Sequence, residues 1–526
     1  MAKLFDSVKM RAPKRNKFDL SHERKMSFNM GDIVPILCEE IVPGDQFRVN
    51  TEIMMRLAPM LAPIMHRVNV KTEYFFVPKR LVWSESETFY TGGEDGLAAP
   101  IVPHVKVSKV GALVANFMET GTLWDYFGLP TLADAVVLDP SFADQMIDVT
   151  ALRAYQTIWN EYYRDQNTQA KIVVPKTSGE VVGTDIGDLF TTRRRCWEKD
   201  YLTSCLPFAQ RGPAVSIPLN SDVEAPTYGF RVGSSGEPFT EAGDLTLGAD
   251  GKVLMTGSPS QDGAVHLGAE GYGMDVNALR RSVRLQEWLE RAARVGSRYT
   301  ELLRGFFGVR PSDQRLQRPE FLGGASSPIS ISEVLSTVQQ VDPTSGDPIG
   351  NPQGDPTGKG ISFGNMNGFS RFFEEHGWVI GVVSVLPRTA YQQGIHKKWQ
   401  RFDKLDTYWE QFANIGEQAV RNVEAYYNGL DYVPGDTEAT FGYQSRYAEY
   451  KYGCSTVHGD FRNTLAFWHM GRIFTTPPRL NNGFMECDPT HRIFAVEDPT
   501  VHKLWCQMYH RISALRPMPY FGTPTL

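Results

Sequence analysis

No catalytic signature stands anywhere in this chain. It has no GxSxG, no HExxH and no CxxC. Its six cysteines, Cys38, Cys196, Cys205, Cys454, Cys487 and Cys506, are scattered, and the nearest two are nine positions apart. Secreted disulfide scaffolds use cysteine far more densely, so these read as reduced core thiols of a chain made in a cytoplasm. Long apolar runs are also missing. The longest, around Trp378–Leu386, is about half of what a membrane helix needs. The charged N-terminus has no apolar stretch behind it, so no secretory leader is expected. Nor is there an excess of positive charge: the net charge is −6, and beyond residue 25 it is −11, which argues against a free DNA-binding protein.

What the chain has is length, turns and aromatic residues. At 526 residues, with 47 glycines, 33 prolines and 12% aromatics, it suits many strands joined by elaborate loops better than a helical bundle. The charge is unevenly placed. Residues 1–25 carry eight Lys/Arg against three Asp/Glu, a net of +5, so residues 26–526 sum to −11. A basic arm on an acidic body points to local contact with a polyanion, through Lys3, Lys9, Arg11, Lys14, Arg15 and Lys17.

Strand signals stand at both ends of the chain. In Asp45–Leu57, Phe47, Val49, Thr51 and Ile53 alternate as in a half-buried strand, and Asn69–Val77 is a second strand stopped by Pro78. Trp378–Leu386 is apolar on both faces and valine-rich, as in the middle of a core. Leu504–Leu515 alternates again, and the Pro517 and Pro519 that follow suggest a sheet edge. Between these, helical spacing predicts helices over Ala151–Gln166, Asn277–Phe307 and Asp406–Tyr427, with their aromatic stripes in cores. Such a pattern fits residues 26–526 as one sheet system with enlarged loops.

Two segments differ in composition. Gly229–Gly273 holds eleven glycines and too few large apolar residues for a core, so it reads as an exposed excursion. Val341–Gly360 has nine Gly or Pro among twenty residues and reads as a surface loop. Within it, GDPTGKG at Gly354–Gly360 is one residue short of a phosphate loop and lacks the Ser/Thr that would hold magnesium. Glu374 and Glu375, read as opening the strand to Leu386, point to opposite faces and cannot flank one bond. His458, Asp460 and His469 have no third ligand at zinc-like spacing. No metal, no cofactor and no enzymatic role are expected.

The stretch Thr191–Leu219, TTRRRCWEKDYLTSCLPFAQRGPAVSIPL, joins three arginines to aromatic residues on a proline-kinked scaffold. Arginine forks onto carboxylate and phosphate alike, and the acidic body favours ion pairs for Arg193, Arg194 and Arg195. Trp197, Trp288 and Tyr299 are expected within the subunit or at its contacts, holding inserted loops on the sheets.

Several blocks resemble the major capsid proteins of the Microviridae, in the gokushovirus branch. They include Phe18–Trp83, the ALRAYQTIWNEYYRDQN that begins at Ala151, the arginine block at Thr191, Leu279–Gly324, His376–Val420 and the RPMPYF at Arg516. The resemblance implies a mainly β fold, an eight-stranded antiparallel jelly roll with very large helix-containing insertions. It also implies a T=1 icosahedral homo-oligomer in the virion around circular single-stranded DNA, without membrane insertion. Further implied partners are a small basic DNA-packaging protein, an internal scaffolding protein and a host receptor. Gly229–Gly273 is then the equivalent of a threefold protrusion, with Val253, Leu254 and Met255 as its contact points. A lectin-like jelly-roll protein that binds carbohydrate is the alternative.

Overall fold

The computed structural model describes residues 14–107, 115–131, 145–213, 215, 231–232, 237–238, 245–247, 253–255, 276–296, 298–309, 312–335, 340–341, 348–349, 356–427 and 440–521. By its internal contacts the chain divides into a main unit, 1–209 with 296–526, and an inserted unit, Gln210–Val295.

The main unit is mainly β. Its long strands are β1 (Asn16–Asp19), β2 (His22–Phe28), β3 (Val34–Ile41), β4 (Gln46–Leu57), β5 (Val68–Pro78), β6 (Glu320–Pro328), β7 (Ser330–Leu335), β8 (Pro356–Phe372), β9 (Gly377–Pro387) and β10 (Leu504–Arg516). All their pairings are antiparallel. One sheet runs β1-β10-β4-β8-β7, with β2 also paired to β10, and the other runs β6-β5-β9-β3. Alternation explains how they meet. Phe47, Val49, Ile53 and Met55 of β4, with Met508 and Ile512 of β10, share one buried cluster with Val70, Tyr74 and Phe76 of β5 and Val379 and Val383 of β9. Side chains repeat every second residue on a strand, so one buried set per strand packs sheet on sheet.

The four-stranded sheet is buried on both sides. Phe75, Val77, Ile380 and Val382 face a second core made with helix α1 (Thr150–Ile158), whose Leu152, Tyr155 and Ile158 line it, and with Trp159 of the π-helical turn Trp159–Tyr163 that continues α1. This is why β9 reads as apolar on both faces: it lies between β5 and β3 with a core on either side. A short helix, α2 (Thr184–Phe190), adds Ile186, Leu189 and Phe190 to the same layer.

Several expectations need correction. β10 is interior, because the N-terminal β1 and β2 pair along its outer side while β4 holds the other. Thus residues 16–28 belong to the sheet, and the basic arm as a separate feature is confined to the residues before β1. The 277–307 helix is two helices, α3 (Val276–Val295) and α4 (Tyr299–Phe307). Gly296 interrupts them at φ +108°, where an added Cβ would lie 2.6 Å from the Gln166 amide. Over 406–427 there is no long helix. An Asp403/Asp406 capping box makes a 3₁₀ turn, Gly416 turns the chain at φ +119°, and strand Glu417–Arg421 pairs with Thr440–Ser445. Tyr408, Trp409 and Ile415 are consequently exposed instead of buried. Finally, Pro356–Gly360 opens β8 instead of ending a surface loop. Gly358 is needed there because a Cβ would fall 2.3 Å from the Ala62 carbonyl oxygen.

Candidate interaction surfaces

Each arginine of the 193–195 run reaches a different element. Arg193 donates through Nε to Gln156 Oε1 (2.8 Å), meets Asp188 at 3.4 Å and lies over the Trp159 ring. Arg194 pairs with Asp488 (2.8 Å) and Asp32 (3.4 Å). Burial pushes the Asp32 carboxyl up to about 6, with Arg194 opposing that rise. Arg195 crosses two strands: it forks onto Glu73 of β5, donates to Ser384 Oγ of β9 (3.0 Å) and lies over Tyr163, whose hydroxyl also donates to Glu73. Neighbouring residues of an extended chain point in different directions, so three successive cations tie helix layer, loops and sheet together within one subunit. Backbone bonds complete the clamp, from Arg195 N to Gly31 O and from Cys487 N to Arg195 O (both 2.8 Å).

Trp197 is 4% exposed and packs with Leu386 and Cys487 under the Arg472 guanidinium. Trp288 and Tyr299 differ. At 49% and 63% exposure they are outside any buried cluster of their own units, so burial within the subunit does not hold for them. Of the six N-terminal cations, Lys14 and Arg15 of the arm and Lys17 of β1 are exposed, with Arg15 over the Phe372 ring at 5.0 Å. Lys3, Lys9 and Arg11 lie outside the described residues. Val253–Met255 forms a short strand paired with Leu245–Leu247 inside the inserted unit, and Arg231–Val232 pairs with Glu237–Pro238.

The residues set aside as catalytic or metal sites have structural partners. His469 is buried, with Nε2 2.7 Å from the Phe461 carbonyl oxygen and Nδ1 accepting from Gly471 N. Glu375, just before β9, accepts from Arg80 Nε. Among the described residues no group of three or more His, Cys, Asp or Glu could hold a metal, and no helix is long and apolar enough to cross a membrane.

Two surfaces escaped the reading of the sequence. One holds Trp399, Phe402, Tyr408 and Trp409, all exposed in the segment between β9 and β10. The charges beside the rings, Lys397, Lys398, Arg401, Asp403 and Lys404, were the available signal, and the helical spacing read over 406–427 masked it for Tyr408 and Trp409. The other is the face of the six-stranded sheet turned away from the core, where Trp505 and Phe363 stand among arginines and lysines.

A family model described as capsid protein (F protein) matches residues 7–526. Capsid protein VP1 of Chlamydia phage 1 is 34% identical, the match covering 100% of this chain and 98% of the relative. Capsid protein VP1 of Bdellovibrio phage phiMH2K is also 34% identical, over 97% of this chain and 95% of the relative. That of Spiroplasma virus 4 is 29% identical over the same shares. All three bear the name of a structural protein, which leaves the carbohydrate-binding alternative without support.

Proposed function

The chain belongs to the capsid protein (F protein) family, a Microviridae virion component, and from that membership we propose that it is the repeating subunit of a T=1 shell around circular single-stranded DNA. The match over residues 7–526 carries this reading, since it takes in sheets, helix layer and inserted unit together. The strand order supports a jelly roll at its centre. In chain order β2, β4, β8 and β10 fall in one sheet and β3, β5, β6 and β9 in the other, which gives β2-β10-β4-β8 facing β3-β9-β5-β6, with β1 and β7 as additions. A two-sheet wedge is rigid, and its long connections are free to form contacts between copies.

Gly229–Gly273, within the inserted unit Gln210–Val295, serves as the outward protrusion that meets the host receptor, and Val253–Met255 is its contact strand at a threefold axis. The unit's separate packing and the segment's glycine content support this. The N-terminal cations face the genome. One short arm offsets only a few phosphates, so a small basic packaging protein completes the neutralisation, and an internal scaffolding protein assists assembly. Co-expression with the phage's other structural proteins, followed by electron microscopy, tests the reading. Uniform closed shells are expected, and small soluble oligomers alone would overturn it.

A further inference from the structure

The two sheets are finished differently on their outer sides. The four-stranded sheet carries the α1 layer, whereas among the described residues no apolar layer covers the six-stranded one. Along β4 and β10 burial alternates, and the side chains turned from the core are exposed or half-exposed. Trp505 is 49% exposed and Phe363 66%. They lie on either side of β4, Trp505 opposite Arg56 and Phe363 opposite Met54, which in turn faces Gln507 and, beyond it, Lys25. Two strand spacings across the sheet and a two-residue stagger along it put the rings roughly 12 Å apart, room for each to serve a separate base.

Charge on this face runs against the acidic body. Lys17, Lys25, Arg48, Arg56, Lys359 and Arg511 share it with Asp19, Glu23 and Glu52. The three acids are already engaged: Glu52 with Arg511 at 3.6 Å, Glu23 accepting from Gln507, and Asp19 accepting from Ser21. In the same face Phe372 carries the Arg15 guanidinium, so the described end of the basic arm adjoins it.

We infer that this sheet face binds single-stranded nucleic acid, with bases stacked on Trp505 and Phe363 and phosphates held by Lys25, Arg48 and Arg56. Cations interleaved with exposed rings suit a polyanion whose bases offer π-faces. A contact between protein copies would instead place apolar side chains at its centre and charge at its rim. Duplex DNA hides its base faces, so the rings select single strands. The inference deepens the coat reading by naming where the genome meets the shell.

The test is fluorescence anisotropy of the full-length protein with labelled oligothymidylate of about 20 nucleotides, and with a duplex of equal length, across a salt series. Trp505→Ala and Phe363→Ala should each weaken single-strand binding roughly 5- to 150-fold, and Trp505→Tyr should restore most of the loss. Lys25→Gln with Arg56→Gln should flatten the log–log salt slope by about 1.4. These positions are exposed, and unchanged thermal melting would confirm an intact fold. Alanine variants that bind within about twofold of wild type, or that lose duplex and single strand equally, would overturn the inference. So would a Trp505→Ala protein that binds oligothymidylate normally but no longer self-associates in sedimentation, which would make the face a contact between copies. Shell formation is scored separately by microscopy. Closed shells with unaltered binding remove only this inference, whereas a wild type that never closes shells removes the coat reading.

Discussion

Arg195 and Glu73, 122 positions apart in the chain, form a forked ion pair with Nη1 2.6 Å from Oε2 and Nη2 3.3 Å from Oε1. Both side chains are largely buried, at 18% and 22% exposure, and Ser384 and Tyr163 complete the set. Removing one partner of such a pair leaves a poorly solvated charge, so Arg195→Ala should cost about 3 kcal/mol of subunit stability. Lysine cannot reproduce the fork, and Arg195→Lys should recover less than half of that. Urea unfolding of the soluble subunit measures both; losses under about 0.5 kcal/mol would show that the pair is not a tie.

A second relationship sets an acid limit. His510 is buried, its Nδ1 is 2.9 Å from Thr51 Oγ1, and Tyr74 donates to the same hydroxyl. Burial pushes its pKa down to about 4, with His22 and Arg24 adding repulsion of a positive ring. The folded value is below the free value of 6.5, so the unfolded chain takes up the proton first. The neutral ring's contribution is therefore full above about pH 6.5 and lost progressively down to about pH 4, roughly 3 kcal/mol in all. His510→Gln should be less stable at pH 7 yet show a shallower decline between pH 6.5 and 4. Parallel pH profiles for the two proteins would exclude His510 as the cause.

The two tryptophans should behave differently. Trp197→Ala removes a buried indole and should cost about 3–5 kcal/mol, enough to leave little soluble subunit. Trp288 is half-exposed on α3, and Trp288→Ala should change subunit stability by about 1 kcal/mol or less. If Trp288 serves contacts between copies, the yield of closed particles falls while melting of the subunit is unchanged. Equal melting losses in the two variants would refute the distinction.

Changing Lys3, Lys9, Arg11, Lys14, Arg15 and Lys17 to Gln should leave shells closed but lower their retained DNA. The salt slope of DNA binding should fall by about 0.7 for each phosphate that the arm no longer neutralises. Unaltered packaging in quantitative DNA assays of purified particles would reduce the arm to a tether.

Replacing Gly229–Gly273 with a short Gly-Ser linker should spare the main unit, because Gln210–Val295 packs as a unit of its own. Soluble subunits and closed shells are expected, with adsorption to the host abolished. Failure to assemble, together with an unchanged host range in a chimaera carrying a related loop, would make the segment an assembly element.

The sequence by itself determined what local periodicity and chain chemistry control. Two-residue alternation marked β4 and β10, apolar character on both faces marked β9 as a core strand, and helical spacing placed α1. The glycine content of 229–273 marked a stretch that falls within the separately packed Gln210–Val295, and the long matching blocks identified the family. Tertiary structure decided whatever depends on a distant partner. β10 became interior only because the N-terminal strands, about 490 positions away, pair along its free side. Gly296 broke a continuous helical pattern because Gln166 and Glu301 crowd the place where a Cβ would stand. The arginine run announced ion pairing, but Glu73, Asp488 and Asp188 became its partners through folding. The bare sheet face was equally hidden, since Trp505, Arg56 and Phe363 belong to three separate stretches of chain that antiparallel register alone brings side by side. Backbone propensity acts over a few residues, whereas pairing and burial are set by contacts whose two ends no local pattern contains.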